Sequence, residues 1–238
     1  MVTTSPAAPL VLPFVGRTRE TAELRRLHAL QQHALILGPA GVGKTALVAH
    51  LQPQLRFLQC PHSEHLGEIC ASLERELGLT TEGLRLVERK PRLRQALAQA
   101  GRTVVLDGVG WTTPKLCSWL ETVMARTPVW LCTRSAHPWD IGHAWRLLVR
   151  FQRVELQALR AAETQALVEA VVQGGLVPPQ TRSLAAWLQR RSGGNPRKLY
   201  QFLAELNSGH YDLDNPLALR RLEMDRRIHE AFPPPPPA

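Results

Sequence analysis

The sequence predicts an α/β fold, a parallel sheet covered by helices on both faces, followed by a small all-α domain. Three observations predict it. Short apolar runs alternate with helical stretches between about residues 33 and 157, the pattern of strands buried between two helical layers. One such run, Ala34 to Leu37, leads directly into the Gly-rich loop Gly38-Pro39-Ala40-Gly41-Val42-Gly43-Lys44-Thr45 and then a helical stretch opening at Ala46. After Leu159 the strand signals stop, and three helical stretches punctuated by Gly174-Gly175 and Ser192-Gly193-Gly194-Asn195-Pro196 remain.

The elements follow in order. A helix is expected over 18–30, with Ala22, Leu24, Leu27 and Leu30 on its apolar side. Strands are expected at 34–37, 55–59, 103–106, 129–132 and 153–156, with helices at 64–77, 91–100 and 114–126 between them. Gly78 and Gly101 stop two of these helices. The later helices fall at 161–172, 181–191 and 196–207, and one more spans 217–232 with Arg220, Arg221, Arg226 and Arg227. The run Pro233 to Pro237 is incompatible with an α-helix and reads as an exposed polyproline segment. Residues 1–13 read as a flexible arm, 14–157 as the α/β domain, 158–210 as the helical domain, and 211–238 as a basic helix with a Pro-rich tail.

The loop at 38–45 fits G-x-x-x-x-G-K-[ST] at every fixed position, in the strand–loop–helix context its chemistry requires. Glycines let backbone N–H groups curl around a phosphate, and the helix N-terminus adds its positive dipole end. Lys44 is expected to reach the β- and γ-phosphates and the Thr45 hydroxyl to hold Mg²⁺. The chain is therefore expected to bind ATP or GTP with Mg²⁺ on a P-loop NTPase sheet. Ligands of such sheets lie beyond the carboxyl ends of the strands, where Asp107 and Thr133 also fall. Asp107 ends an apolar run and suits the metal's water shell. No carboxylate follows it among Gly108, Val109, Gly110 and Trp111, so the usual general base is missing and slow hydrolysis is expected. Thr133 and Arg134 are placed to sense the γ-phosphate. Arg150, with Arg146 and Arg153 as neighbours, is placed to reach the γ-phosphate of an adjacent subunit. Cys60, His62, His65 and Cys70 fit no usual zinc spacing.

The composition narrows the partners. Lys and Arg number 29 against 20 Asp and Glu, a net charge of +9, which favours polyanions such as DNA or RNA without locating a patch. No apolar stretch is long enough to span a membrane. The four cysteines form no C-x-x-C pair, which together with the P-loop suggests free thiols and a cytoplasmic setting.

Phe14-Val15-Gly16-Arg17 followed by Glu20 resembles the box that opens many AAA+ and STAND-type ATPases. The order then continues with the P-loop, the strand ending at Asp107, and Leu131-Cys132-Thr133-Arg134, similar to the sensor strand of STAND proteins. Arg150-Phe151 is similar to the arginine-finger box of origin-recognition and clamp-loader ATPases, and Gly193-Gly194-Asn195-Pro196-Arg197 resembles their lid motif. The resemblance covers residues 14 to about 207. It implies ATP rather than GTP, Val15, Gly16 and Arg17 near the adenine, and a helical lid closing over the nucleotide through Pro196 and Arg197. Asp107-Gly108 resembles the NACHT form of this strand end, with Gly110 and Trp111 in place of the acidic residues usual there. What it implies is a bare ATPase core plus lid, switching with ATP and ADP and assembling with copies of itself or with a partner protein, on DNA as in transposition-regulator or loader ATPases. A signalling or defence switch with its effector on a separate chain is the alternative. A small-molecule kinase on the same scaffold is a third reading, against which the sensor-like strand and the lid motif argue.

Overall fold

The computed structural model describes residues 10–231 except 62, 64, 209, 212 and 214. Contacts divide these residues into two units, one of residues 17–157 and one of residues 158–231 together with 10–16. Residues 1–9, His62 and the Pro233–Pro237 run lie outside the described residues.

The first unit is a five-stranded parallel sheet in the order β2-β3-β4-β1-β5. Its strands are β1 (Ala34–Leu37), β2 (Leu58–Cys60), β3 (Val104–Leu106), β4 (Val129–Thr133) and β5 (Gln152–Glu155). The central β1 lies in register with both neighbours, Ala34 opposite Trp130 and Gln152, and Leu37 opposite Thr133 and Glu155. Burial on both faces explains the unbroken apolar runs. Leu35, Leu37, Val129 and Leu131 join one core with Ile69, Leu73, Leu93, Leu97 and Leu120. The alternate residue Trp130 points to the opposite face, where its ring lies 4.8 Å from that of Phe57, because successive strand side chains alternate sides.

The helices of this unit are α1 (Thr18–Ala29), α2 (Lys44–Leu55), α3 (Leu66–Glu76), α4 (Leu86–Ala100), α5 (Pro114–Met124) and the short α6 (Pro138–Ile141). Three expectations shift. Residue 55 ends α2 rather than opening a strand, because the helix runs through Pro53 and stops at Arg56, whose φ of 49° is left-handed. Helix α4 starts five residues before Pro91. Glu88 accepts a hydrogen bond from the Arg85 backbone N–H at 2.9 Å and sets that start, and Pro91 stands on the exposed side. Residues 138–150, for which no element was expected, form α6 and a 3₁₀ segment His143–Arg150. Buried Thr112 holds them. Its hydroxyl donates to Ile141 O at 2.5 Å and accepts from Ala144 N at 2.7 Å.

The second unit is all-helical, with α7 (Ala161–Gln173), α8 (Ala185–Ser192), α9 (Pro196–Asn207) and α10 (Pro216–Ala231). The single helix expected over 181–191 is a 3₁₀ turn, Pro179–Leu184, followed by α8. Leu10, expected in a flexible arm, is buried in this unit's core, and Leu12 and Val15 pack against that core. Leu222 of α10 is fully buried in the same core, while Arg220, Arg221 and Arg227 stay exposed. The basic helix therefore packs on the helical domain through Leu222 and shows Arg220, Arg221 and Arg227 to solvent.

Candidate nucleotide-binding site

The loop between β1 and α2 takes its shape from three glycines with positive φ, 154° at Gly38, 77° at Gly41 and 102° at Gly43. A Cβ at Gly38 would stand 2.8 Å from both Leu156 O and Val42 Cγ1, so only glycine fits there. Helix α2 begins at Lys44 with no side-chain cap and no acidic residue in its first turn. Its leading N–H groups therefore lack a side-chain acceptor, and its positive end carries no counter-charge. Lys44 Nζ donates to Gly38 O at 2.5 Å and Pro39 O at 3.1 Å, folded back over the loop. Burial holds the Lys44 ammonium below the usual lysine range, and Arg134 pushes the same way against Cys132 and Asp107. A phosphate in the loop would reverse that shift. Thr45 and Ala46 are exposed on the first turn of α2.

Two strand ends complete the set. Asp107, directly after β3, is buried, and its carboxylate accepts from Gly108 N at 2.8 Å. Thr133 ends β4, adjacent to β1, and its buried hydroxyl donates to Ser135 O at 3.2 Å. The parallel register brings the P-loop, Asp107 and Thr133 to one edge of the sheet. The donor set for a metal is one hydroxyl and one carboxylate. That suits Mg²⁺, which keeps several waters and takes the rest of its oxygens from phosphates. These features fit a nucleoside triphosphate with Mg²⁺.

Sequence reasoning missed two contributions to this edge. Arg17 lies buried with Nη2 donating to Val42 O at 3.0 Å and Nη1 to Glu20 at 3.2 Å, so it braces the P-loop from within the α/β unit. The pairing spans 25 residues, and no local signal announces it. Cys132 lies wholly buried beneath the site with its thiol hydrogen-bonded to Asp107. Burial, followed by the Asp107 charge, pushes that thiol well above the ordinary range.

The AAA domain family matches residues 27–132, the stretch that holds the P-loop and Asp107. Residues 27–132 are thus similar to an AAA domain. Three solved structures are similar to the chain in fold. A STAND protein with a tetratricopeptide repeat sensor from Pyrococcus horikoshii has 19% identity and a TM-score of 0.52, covering 81% of this chain and 30% of its own. The Orc1 protein of Aeropyrum pernix, solved in complex with DNA, has 17% identity and a TM-score of 0.62, covering 93% and 69%. Cdc6p from Pyrobaculum aerophilum has 16% identity and a TM-score of 0.53, covering 71% and 52%. The chain thus spans about a third of the STAND protein and half of Cdc6p. No curated protein matches the sequence.

The remaining candidates are placed within their own units. Arg150 stands just before β5 and next to His33, which precedes β1, so it lies at the end of the sheet opposite its own P-loop. It forms an exposed ion pair with Glu121 at 3.1 Å. Val15 and Gly16 belong to the helical unit, where a Cβ on Gly16 would come within 2.8 Å of Glu163 Oε1. Pro196 opens α9, with Asn195 accepting from Arg197 N at 3.0 Å, and the Arg197 side chain is exposed. Among the described residues no helix is long and apolar enough to cross a membrane, and no group of three or more His, Cys, Asp or Glu is gathered for a metal.

Proposed function

We propose that the chain is an ATP-dependent switch that assembles with copies of itself or with a partner protein, on DNA as in transposition-regulator or loader ATPases. The observation that carries this reading is the carboxyl edge of the sheet. It combines a P-loop whose helix opens without a side-chain cap, a buried Asp107 and a buried Thr133, but offers no carboxylate over 108–111 to activate water. Such a site holds ATP long enough for the bound state, rather than turnover, to be the signal. In this reading Gly38 to Ala46 hold the phosphates, Lys44 neutralises them, Thr45 and Asp107 hold Mg²⁺, and Arg17 keeps the loop in shape. Val15, Gly16, Pro196 and Arg197 complete the nucleotide site from the helical lid, and Arg150 serves a neighbouring subunit. The sensor-like strand at 131–134 and the Gly194-Asn195-Pro196-Arg197 motif argue against a small-molecule kinase.

Particle mass measured with ADP, ATP and a non-hydrolysable ATP analogue tests this. The expected result is growth of a larger species in the ATP state alone, lost in Lys44→Ala. One mass in every nucleotide state, with bound ATP demonstrated, would sink the switch. Growth only with a co-purifying protein would favour a signalling switch whose effector is a separate chain.

A further inference from the structure

Helices α4 and α5 pack side by side in the α/β unit, and the surface between them is hollowed into two adjoining clefts of about 780 Å³ and 540 Å³. Both are lined by Pro91, Arg94 and Thr122, so they form one groove, and no P-loop residue lines it. Its cations are Lys90, Arg92, Arg94, Lys115 and Arg126, and no Asp or Glu lines either cleft. All but Lys90 are exposed. The nearest carboxylates on these helices are engaged elsewhere, Glu88 with the Arg85 N–H and Glu121 with Arg150. Residues 17–157 carry 19 Lys and Arg against 12 Asp and Glu, seven of the nine net charges of the chain.

We propose that this groove binds the sugar–phosphate backbone of duplex DNA. Five cations left without counter-charges along one groove call for a polyanion with closely spaced charges. The α4 wall runs from Val87 to Gln99, about 18 Å at 1.5 Å per residue. That is about the axial length of five phosphates on one strand, at roughly 3.4 Å each. A single strand would need exposed aromatic faces on which to stack its bases. The groove's one aromatic, Trp119, is buried, and its indole N–H has no acceptor in the structure. Contacts of this kind position a duplex without reading its sequence. The inference deepens the DNA part of the switch proposed above, but the contact itself requires no nucleotide.

The test is fluorescence anisotropy of a labelled 20-base-pair duplex of mixed sequence with the full chain, without nucleotide, at several salt concentrations. Wild type should bind with log K falling against log salt at a slope near −4, about 0.9 per phosphate contact. Arg92→Glu/Arg94→Glu/Arg126→Glu should bind at least tenfold more weakly, and Arg92→Gln/Arg94→Gln/Arg126→Gln should lower the slope by about 2–3. Unchanged thermal unfolding of the Gln variant would show that the fold is retained. Arg19→Glu/Arg75→Glu/Arg190→Glu, with the same net charge, should bind the duplex nearly as well as wild type. Lys44→Ala should bind as wild type, so loss of nucleotide binding is read separately from loss of DNA binding. Absence of duplex binding at low salt, an equal loss in the control triple, or tighter binding of single-stranded DNA or an acidic peptide would each overturn the proposal.

Discussion

Gly194 shows how much one residue decides. A Cβ there would stand 2.1 Å from Leu159 O, and its φ of 70° already disfavours any side chain. The same close approach carries the Leu159 N–H to Gly194 O hydrogen bond at 2.8 Å. Gly194→Ala is expected to destabilise the helical unit by about 2–4 kcal/mol, read as faster amide hydrogen exchange in α8 and α9 with the sheet amides unchanged. Arg17 is the counterpart in the α/β unit. Arg17→Ala removes the guanidinium from Val42 O and should weaken ATP binding about tenfold without unfolding the protein, measured by calorimetric titration. The turn at 38–45 and its strand–loop–helix setting were legible because a P-loop encodes its shape locally. The bond from Arg17 to Val42 O was not legible, because it spans 25 residues and leaves no trace in the residues around it.

At the scale of elements, charge and hydrogen bonding hold the crossovers to the sheet. Glu74 of α3 is 3% exposed and accepts from Arg89 of α4 and from the Thr81 hydroxyl at 3.0 Å. Removing the arginine strands a buried carboxylate. Arg89→Ala is expected to cost about 3–5 kcal/mol, whereas Arg150→Ala, which breaks an exposed pair, should cost less than about 1 kcal/mol. Chemical denaturation of the two variants side by side checks the contrast. The start of β4 depends on His33, whose Nδ1 accepts from the Val129 N–H at 3.0 Å. Burial, then the nearby Arg150 charge, lowers the His33 pKa from its usual value near 6.5. The unfolded chain therefore takes up the proton first, and stability falls as pH drops below about 6.5 toward the depressed folded value. His33→Gln, which keeps an acceptor, should flatten that acid limb in melting temperatures recorded from pH 5 to 8. His28, lowered by burial, contributes a second part of the same slope, so the limb should shrink rather than vanish. The strands were readable as short apolar runs ended by Gly, Asp or Thr. Residues 138–150 were not, because Thr112 arranges them from about 30 residues away. Pro91 misled in another way, since proline suits a helix start but here occupies an exposed interior position.

At the scale of the molecule, Arg150 and the P-loop stand at opposite ends of one sheet, and the proposed switch assigns them to different interfaces. If copies stack head to tail, Arg150→Ala should leave ATP affinity of the single chain unchanged and abolish ATP-dependent growth in mass, followed by light scattering. The same measurement on Lys44→Ala should lose both. The two-unit organisation was legible where the strand rhythm stops after Leu159. The return of residues 10–16 to the helical unit was not, since Leu10 and Leu12 carry no periodic signal of their own.

The position of β1 at the centre of the sheet also governs the order in which the protein is made. β1 leaves the ribosome early, yet its partner residues on β4 and β5 follow 96 and 118 positions later. At about 5–20 residues per second, the strand that carries the phosphate loop waits roughly 5–20 s for its first neighbour. During that interval it has neither ladder partner, and the loop has no sheet edge to stand on. A nascent chain stalled before Val129 should therefore show no protection by ATP against proteolysis, whereas one released beyond Leu156 should, which makes nucleotide a late witness of folding rather than its template.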